Sequence, residues 1–317
     1  MAASNSKTAK AKPRAKLSGN DNKIELVLGG GGIKGFAHVG FLKAIEELKV
    51  NCGTITGVSI GSIIAVLYVN GFSTEEIETI FAQELKAINP KRLMRSMLLP
   101  KSLDRLIFGE EPVSLLALMK NLVSRYKLKP KDNLRLVAFN AVTREPVVFT
   151  GKYYDLASAM AASCSIPFVF RPIENGEEIS IFQWIRHWLS AKMRQENNDD
   201  RELLFDGGLF HPTPVDFCQG PAIVARLGFA SKPPAEELSF ADRLFHKLEQ
   251  HAARVLDGLF QDPAGEHIVI KVGSADVAAL SFGISPRQQK ALTGHAYRRT
   301  ITALKTAVAQ GRVPVKK

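Results

Sequence analysis

Residues 24–48, IELVLGGGGIKGFAHVGFLKAIEEL, constrain the fold more than any other stretch. IELVL has the apolar, β-branched character of a buried strand, and FAHVGFLKAIEEL carries its apolar residues at helical spacing. Four consecutive glycines separate them, so the chain passes from strand to helix through a turn without Cβ atoms. The plan then repeats: GTITGV (53–58) is short and β-branched, and SIIAVLYVN (62–70) reads as a very apolar helix closed by Gly71. Ser73 followed by Glu76 makes a capping box for a third helix, STEEIETIFAQEL. Strand and helix in alternation predict a parallel α/β sheet with helices on both faces.

Later segments fit that plan. LRLVAFNAV and PVVFT, separated by TRE, read as two strands joined by a tight loop, and LASAMAASCS as a small-residue helix stopped at Ile166 and Pro167. AIVARL and HIVIKV read as later strands, and PRQQKALTGHAYRRTITALKTAVAQ as a long basic helix. Residues 90–128 hold Met94, Met97 and Met119 among leucines and are broken by Pro100, Gly109 and Pro112. Such Met-rich helices suit either an acyl-chain groove or ordinary helical core.

Lys and Arg outnumber Asp and Glu by 42 to 31, a formal charge of +11 that favours an anionic partner without choosing between phospholipid and nucleic acid. Residues 1–22 read as a disordered basic tail, since MAASNSKTAKAKPRAK has five basic side chains and no acid. A processed transit peptide shares this bias; a secretory signal or a membrane span does not match any part of the chain. Cys52, Cys164 and Cys218 are too few and too scattered for a disulfide framework or a zinc site and fit a reducing, cytoplasmic compartment.

The glycine run admits two chemistries. Gly30, Gly32 and Gly35 satisfy G-x-G-x-x-G between strand and helix, but a dinucleotide site then needs an acid at the end of the next strand, and residues 50–74 contain neither Asp nor Glu. A P-loop fails on the position of Lys34. The second strand leads instead into GVSIGS, in which Gly57 and Gly61 let a tight strand-to-helix turn project the Ser59 hydroxyl. Acyl transfer through such a serine needs N–H donors for the oxyanion, and a glycine turn on the neighbouring strand can present them. Among candidate bases, none of the seven histidines sits in a recognisable motif, whereas Asp206 ends an apolar run and is followed by Gly207 and Gly208.

Taken in order, GGGGIKG, GVSIG, AMAASCSIPFVFRPI and DGG resemble the patatin-like phospholipase family, over residues from about 24 to about 305. The resemblance implies a three-layer α/β/α sandwich around a mostly parallel sheet, with residues 23–310 as the catalytic domain and 311–317 as a basic C-terminal tail. It implies a serine-aspartate dyad of Ser59 as nucleophile and Asp206 as general base, an oxyanion hole from the N–H groups of Gly30, Gly31 and Gly32, and supporting roles for Lys34, Gly57, Gly61, Gly207 and Gly208. The activity implied is hydrolysis of fatty-acyl esters of phospholipids through an acyl-enzyme at an anionic membrane surface, with no cofactor or metal and with lipid rather than nucleic acid as partner. An acyltransferase using the same dyad, or an inactive lipid- or nucleic-acid-binding module, are the alternatives. A carboxylate of ordinary pKa, about 3.9, is a weak base for an alcohol, so positioning and the oxyanion hole must carry much of the rate.

Two segments depart from the family pattern. After DGG the chain reads LFHPTPVD, with Pro212 where many relatives place asparagine, and with His211 as a neighbouring loop histidine. Residues 174–203 form an apparent insertion. If ISIFQWIRHWLSAKMR is helical, Ile181, Phe182, Trp184, Ile185, Trp188 and Leu189 cover an arc of about 160°. Aromatic anchors opposite Arg186 and Arg194 suit an interfacial or lid helix peripheral to a membrane; a core or dimer helix explains the same pattern.

Overall fold

In the computed structural model the described residues are 23–87, 113–180 apart from Phe168, 202–228, 266–274 and 284–316, with single positions 183, 185, 186 and 277. The first strand, β1 (Ile24–Leu28), passes through the glycines and a 3-10 turn (Gly32–Gly35) into α1 (Phe36–Glu47). The second unit is β2 (Cys52–Val58), α2 (Ile60–Val69) and α3 (Thr74–Ala87). The capping box at α3 is present: Ser73 N–H donates to Glu76 Oε2 (2.8 Å), and Glu76 N–H to Ser73 Oγ (3.2 Å). Then come α4 (Leu115–Arg125), β3 (Leu134–Asn140), β4 (Glu145–Thr150) and α5 (Leu156–Cys164). The chain continues through β5 (Ile173–Glu174), β6 (Glu177–Glu178), β7 (Leu203–Asp206), β8 (Ala222–Arg226), β9 (Ile268–Lys271) and α6 (Pro286–Ala309).

Among the described residues all nine strands join one sheet, in the order β6-β5-β7-β3-β2-β1-β8-β9, with β4 also paired to β3. The fold is α/β, built on a mixed sheet whose longest run is parallel. Strands β3, β2, β1, β8 and β9 run parallel, while β4, β5, β6 and β7 are antiparallel to their neighbours. From β1 the chain moves to β2 and β3 on one side and returns later to β8 on the other. β1 therefore marks the switch point at which sheets of this kind open a crevice beyond their carboxyl ends.

The register around β3 brings distant segments together. β2 pairs with Leu134–Val137, and β7 pairs with 138–140, both on the edge opposite β4. Strand β2 thus ends beside Val137 and the antiparallel β7 ends beside Ala138. Two strands meet head to head on one edge of β3, and the residues at their meeting ends are Val58, just before Ser59, and Asp206.

Alternate residues of β1 serve two cores. Leu26 and Leu28 join Ile55, Leu134, Leu136 and the buried sides of the six helices in one apolar cluster; Val27 faces a smaller one with Val215, Ala222 and Val224. At Gly40 a Cβ would stand 2.0 Å from the Thr293 carbonyl oxygen, so α1 and α6 cross where α1 has no side chain.

Two features of the described residues add to the sequence reading. Residues 311–316 are not a free tail: Asn51 N–H donates to Pro314 O (2.8 Å), Lys316 N–H to Lys49 O (2.7 Å), and Val313 is buried. The insertion begins as a β-hairpin, β5–β6, turned by Asn175 and Gly176, both with positive φ, because Asn-Gly is the natural pair for such a turn. Beyond it Ser180 and Gln183 cap one another, and Ile185 is 40% exposed. Trp184, Trp188 and Leu189 lie outside the described residues, as do residues 90–112.

Candidate active site

Ser59 stands between β2 and α2 with φ 54° and ψ −131°, a conformation that costs a non-glycine residue about 1–3 kcal/mol. The surroundings hold it there. Its N–H donates to Ser163 Oγ on α5 (3.0 Å), whose hydroxyl donates onward to Val137 O (2.7 Å). Its carbonyl accepts from both the N–H (2.9 Å) and the hydroxyl (2.6 Å) of Ser62. Gly57 and Gly61 are required by contact: a Cβ at Gly57 would lie 2.7 Å from Gly61 O, and one at Gly61 would lie 2.1 Å from Leu28 O. The serine elbow is therefore pressed directly against the end of β1, where the glycine run begins.

Asp206 ends β7 and is 2% exposed. Its Oδ2 accepts the Ser59 hydroxyl at 2.6 Å, and its Oδ1 accepts the Gly208 N–H at 2.6 Å. Burial pushes its carboxyl up to about 7, against the lowering effect of those two hydrogen bonds. That is far above the ordinary carboxylate value expected from sequence, and it turns a weak base into one matched to neutral pH. Gly207 lies so close to Val137 that a Cβ would come within 2.7 Å of its carbonyl oxygen; a Cβ on Gly208 would stand 3.5 Å from Ser59 Cβ.

The glycine turn closes the third side. A Cβ on Gly30 would be 3.3 Å from Ser59 Cβ, so this backbone borders the serine side chain. The Gly30 N–H, expected as an oxyanion donor, instead donates to Pro212 O at 3.2 Å. The loop beyond Asp206 takes that donor, which the pattern of glycines alone does not reveal. The Gly31 and Gly32 N–H groups have no partner among the described residues. Gly32 has φ +56°, which favours glycine, and it lines the same cavity as Ser59. Lys34 is buried, and its Nζ donates to Gly228 O at 3.1 Å, tying the turn to the end of β8.

That cavity encloses about 90 Å³. Ile60, Ile63 and Leu67 follow Ser59 along one face of α2, a wall that extends about 12 Å from the serine at 1.5 Å per residue. Ile80, Phe81 and Leu85 of α3 and Leu115, Leu118, Met119 and Leu122 of α4 line it as well. The described part of the 90–128 region thus faces the site. Glu84 lies at its border, paired with Arg125 at 2.9 Å.

His211 sits 3.8 Å from Asp216 and edge-on to Phe217, and makes no hydrogen bond to Ser59 or Asp206 among the described residues. Sequence reasoning passed over Ser62, Ser163 and His38. Ser62 is the last residue of GVSIGS and Ser163 lies in the small-residue helix, so position in the motifs was their only signal.

The elbow serine bonded to a buried aspartate beside a glycine turn brings together the motifs whose order resembles the patatin-like phospholipases. Residues 26–218 match the family model described as patatin-like phospholipase, and the chain belongs to that family. Neuropathy target esterase sws of Drosophila melanogaster is 27% identical over 228 residues, covering 70% of this chain and 14% of that protein. Patatin-like phospholipase domain-containing protein 6 of Mus musculus is 55% identical over 47 residues, 15% of this chain and 4% of that protein. The chain thus spans a small part of these relatives' length. Among solved structures, VipD from Legionella pneumophila aligns with TM-score 0.46 and 16% identity, over 95% of this chain and 72% of that one. Human GIVD cytosolic phospholipase A2 aligns with TM-score 0.43 and 11% identity, over 91% and 59%. Among the described residues no helix is long and apolar enough to cross a membrane.

Proposed function

We propose that the protein is a lipid acyl hydrolase that cleaves fatty-acyl esters of phospholipids, with Ser59 as nucleophile and Asp206 as general base. The observation that carries this reading is the 2.6 Å bond from Ser59 Oγ to Asp206 Oδ2 beside an apolar cavity. Ser59 Oγ attacks the ester carbonyl carbon while its proton passes to Asp206. The charge that develops on the carbonyl oxygen is met by the Gly31 and Gly32 N–H groups, and one such donor is worth about 3–4 kcal/mol of barrier. Collapse expels the glycerol oxygen, which takes the proton from Asp206, and leaves the acyl group on Ser59. Water then gives a proton to Asp206 and attacks the acyl carbon; the second collapse returns that proton to Ser59 Oγ and frees the fatty acid.

The cavity walls of α2, α3 and α4 fit the acyl chain of such a substrate. A net charge of +11 supports work at an anionic membrane surface, since each basic group near such a surface contributes about 1 kcal/mol of attraction. The insertion with Trp184, Ile185, Trp188 and Leu189 is the segment we assign to contact with that surface. The test is release of labelled fatty acid from vesicles containing anionic phospholipid. Release by the wild type and none by Ser59→Ala is the expected result. No release by the wild type, or equal release by the variant, defeats the reading.

A further inference from the structure

We propose that His38 is a positioning residue for the oxyanion hole: from behind the glycine turn it fixes the peptide between Gly29 and Gly30, and with it the direction of the donors next along the chain. This rests on the functional reading above and adds to it a residue that contacts neither Ser59 nor Asp206.

His38 is the third residue of α1 and is fully buried. Its Nε2 lies 2.8 Å from Gly29 O. A carbonyl oxygen only accepts, so Nε2 carries the proton and donates. Its Nδ1 is buried with no hydrogen-bond partner among the described residues, which leaves the ring neutral. Burial pushes the imidazole down to about 4, so it stays neutral throughout the pH range in which Asp206 works as a base. A buried, half-satisfied imidazole is costly where an apolar side chain would pack without penalty, so the one bond it makes needs a reason.

The geometry of the peptide supplies it. In a trans peptide the C=O and the following N–H point in opposite directions. Gly29 C=O is held by His38, and Gly30 N–H of the same peptide is held by Pro212 O at 3.2 Å on the other side. That plane cannot rotate without breaking a bond at each edge. One residue earlier, Gly29 N–H is tied to Ala225 O at 3.1 Å. Two peptides later, Gly31 C=O accepts the Lys34 N–H at 3.2 Å, which turns the Gly32 N–H of that peptide the opposite way. The peptide that carries the Gly31 N–H is suspended between these two fixed planes. Four successive glycines have the widest conformational freedom of any tetrapeptide, and oxyanion donors act through preorganisation, so a glycine turn needs pins supplied from outside itself. His38 and Pro212 are those pins on the first peptide, and His38 is the one that acts through a side chain.

The test compares three variants with a soluble short-chain ester, p-nitrophenyl butanoate, which removes membrane binding from the measurement. His38→Leu fills the space without a donor. His38→Gln places its amide N–H near the position of Nε2, whereas His38→Asn is polar but too short to reach Gly29 O. The expected result is a ten- to hundredfold lower kcat for the Leu and Asn variants, with KM within twofold of wild type, and recovery of most of the loss by Gln. A displacement of about 1 Å in a catalytic group has effects of this size. A merely structural role would not separate Gln from Asn, nor kcat from KM. Wild-type kcat in folded His38→Leu, or equal loss in the Gln and Asn variants, overturns the proposal.

Hydrogen exchange keeps the inference separable from the functional reading. If the wild type cleaves no ester, the reading of function fails. The pin is still tested by exchange of the Gly30 amide, which should speed at least tenfold in His38→Asn and stay near wild type in His38→Gln. Unchanged exchange in His38→Asn overturns the proposal on its own.

Discussion

Replacing Asp206 with asparagine separates what the carboxylate contributes to chemistry from what its burial does to stability. The folded protein holds this carboxyl at about 7, well above its unfolded value of 3.8. Between those values the folded state keeps a proton that the unfolded state has released. The associated stability is therefore fully present below about pH 4 and is lost as pH rises through about 7. At 1.36 kcal/mol per unit the whole loss is on the order of 4 kcal/mol, of which about 2 to 3 kcal/mol falls between pH 5 and pH 8. Asparagine does not titrate. Its amide oxygen can accept the Gly208 N–H that Asp206 Oδ1 accepts at 2.6 Å, and its NH₂ can donate to Ser59 Oγ, so the substitution leaves the pair bonded. Asp206→Asn should thus be inactive yet gain on the wild type as pH rises. Urea unfolding of both proteins at pH 5 and pH 8, followed by far-UV circular dichroism, measures the gap directly, because every other titrating group is common to both. A gap that widens by about 2 to 3 kcal/mol toward pH 8 is expected. A gap of equal size at both values, or one that narrows, refutes the reasoning from desolvation.

The same carboxyl sets the rate profile: kcat/KM for a soluble ester should climb with pH and level off above about 7, as Asp206 becomes ionised, and a profile already flat at pH 5 contradicts its role as base. Ser163→Ala removes the acceptor of the Ser59 N–H and should lower kcat about tenfold and stability by about 1–3 kcal/mol, read by ester kinetics and thermal melting. Gly61→Ala puts a methyl group 2.1 Å from Leu28 O, so soluble expression should fall and the melting temperature drop by more than in Gly53→Ala, where the nearest atom lies at 3.4 Å. Ile63→Trp narrows the cavity part-way along α2; it should spare butanoyl esters and depress palmitoyl ester hydrolysis at least tenfold, as measured by comparing kcat/KM for the two chain lengths.

Much of this was legible in the chain because local rules wrote it. Strand β1 is the run IELVL, the helix after it starts at Phe36, and the Ser73–Glu76 box opens α3, all as periodicity and capping chemistry dictate. Ser59 and Asp206 stood out for the same reason: each lies beside glycines that a tight backbone contact requires. What stayed hidden was any feature that depends on pairing between distant segments. Residues 311–316, which look like a basic tail, form backbone bonds with residues 49–51. The Gly30 N–H reads as an oxyanion donor until the loop at Pro212 comes back to occupy it.

Sequence by itself determined the strand and helix order from β1 to α3, the serine elbow, the glycine turn and the position of the aspartate, since each is built from residues within a few positions of one another. Tertiary structure alone decided that β2 and the antiparallel β7 abut on one edge of β3, which sets Ser59 Oγ 2.6 Å from Asp206 Oδ2 across 147 residues of chain. It also decided the raised pKa of Asp206, because that is set by the burial of the carboxyl, which no local run of sequence reports.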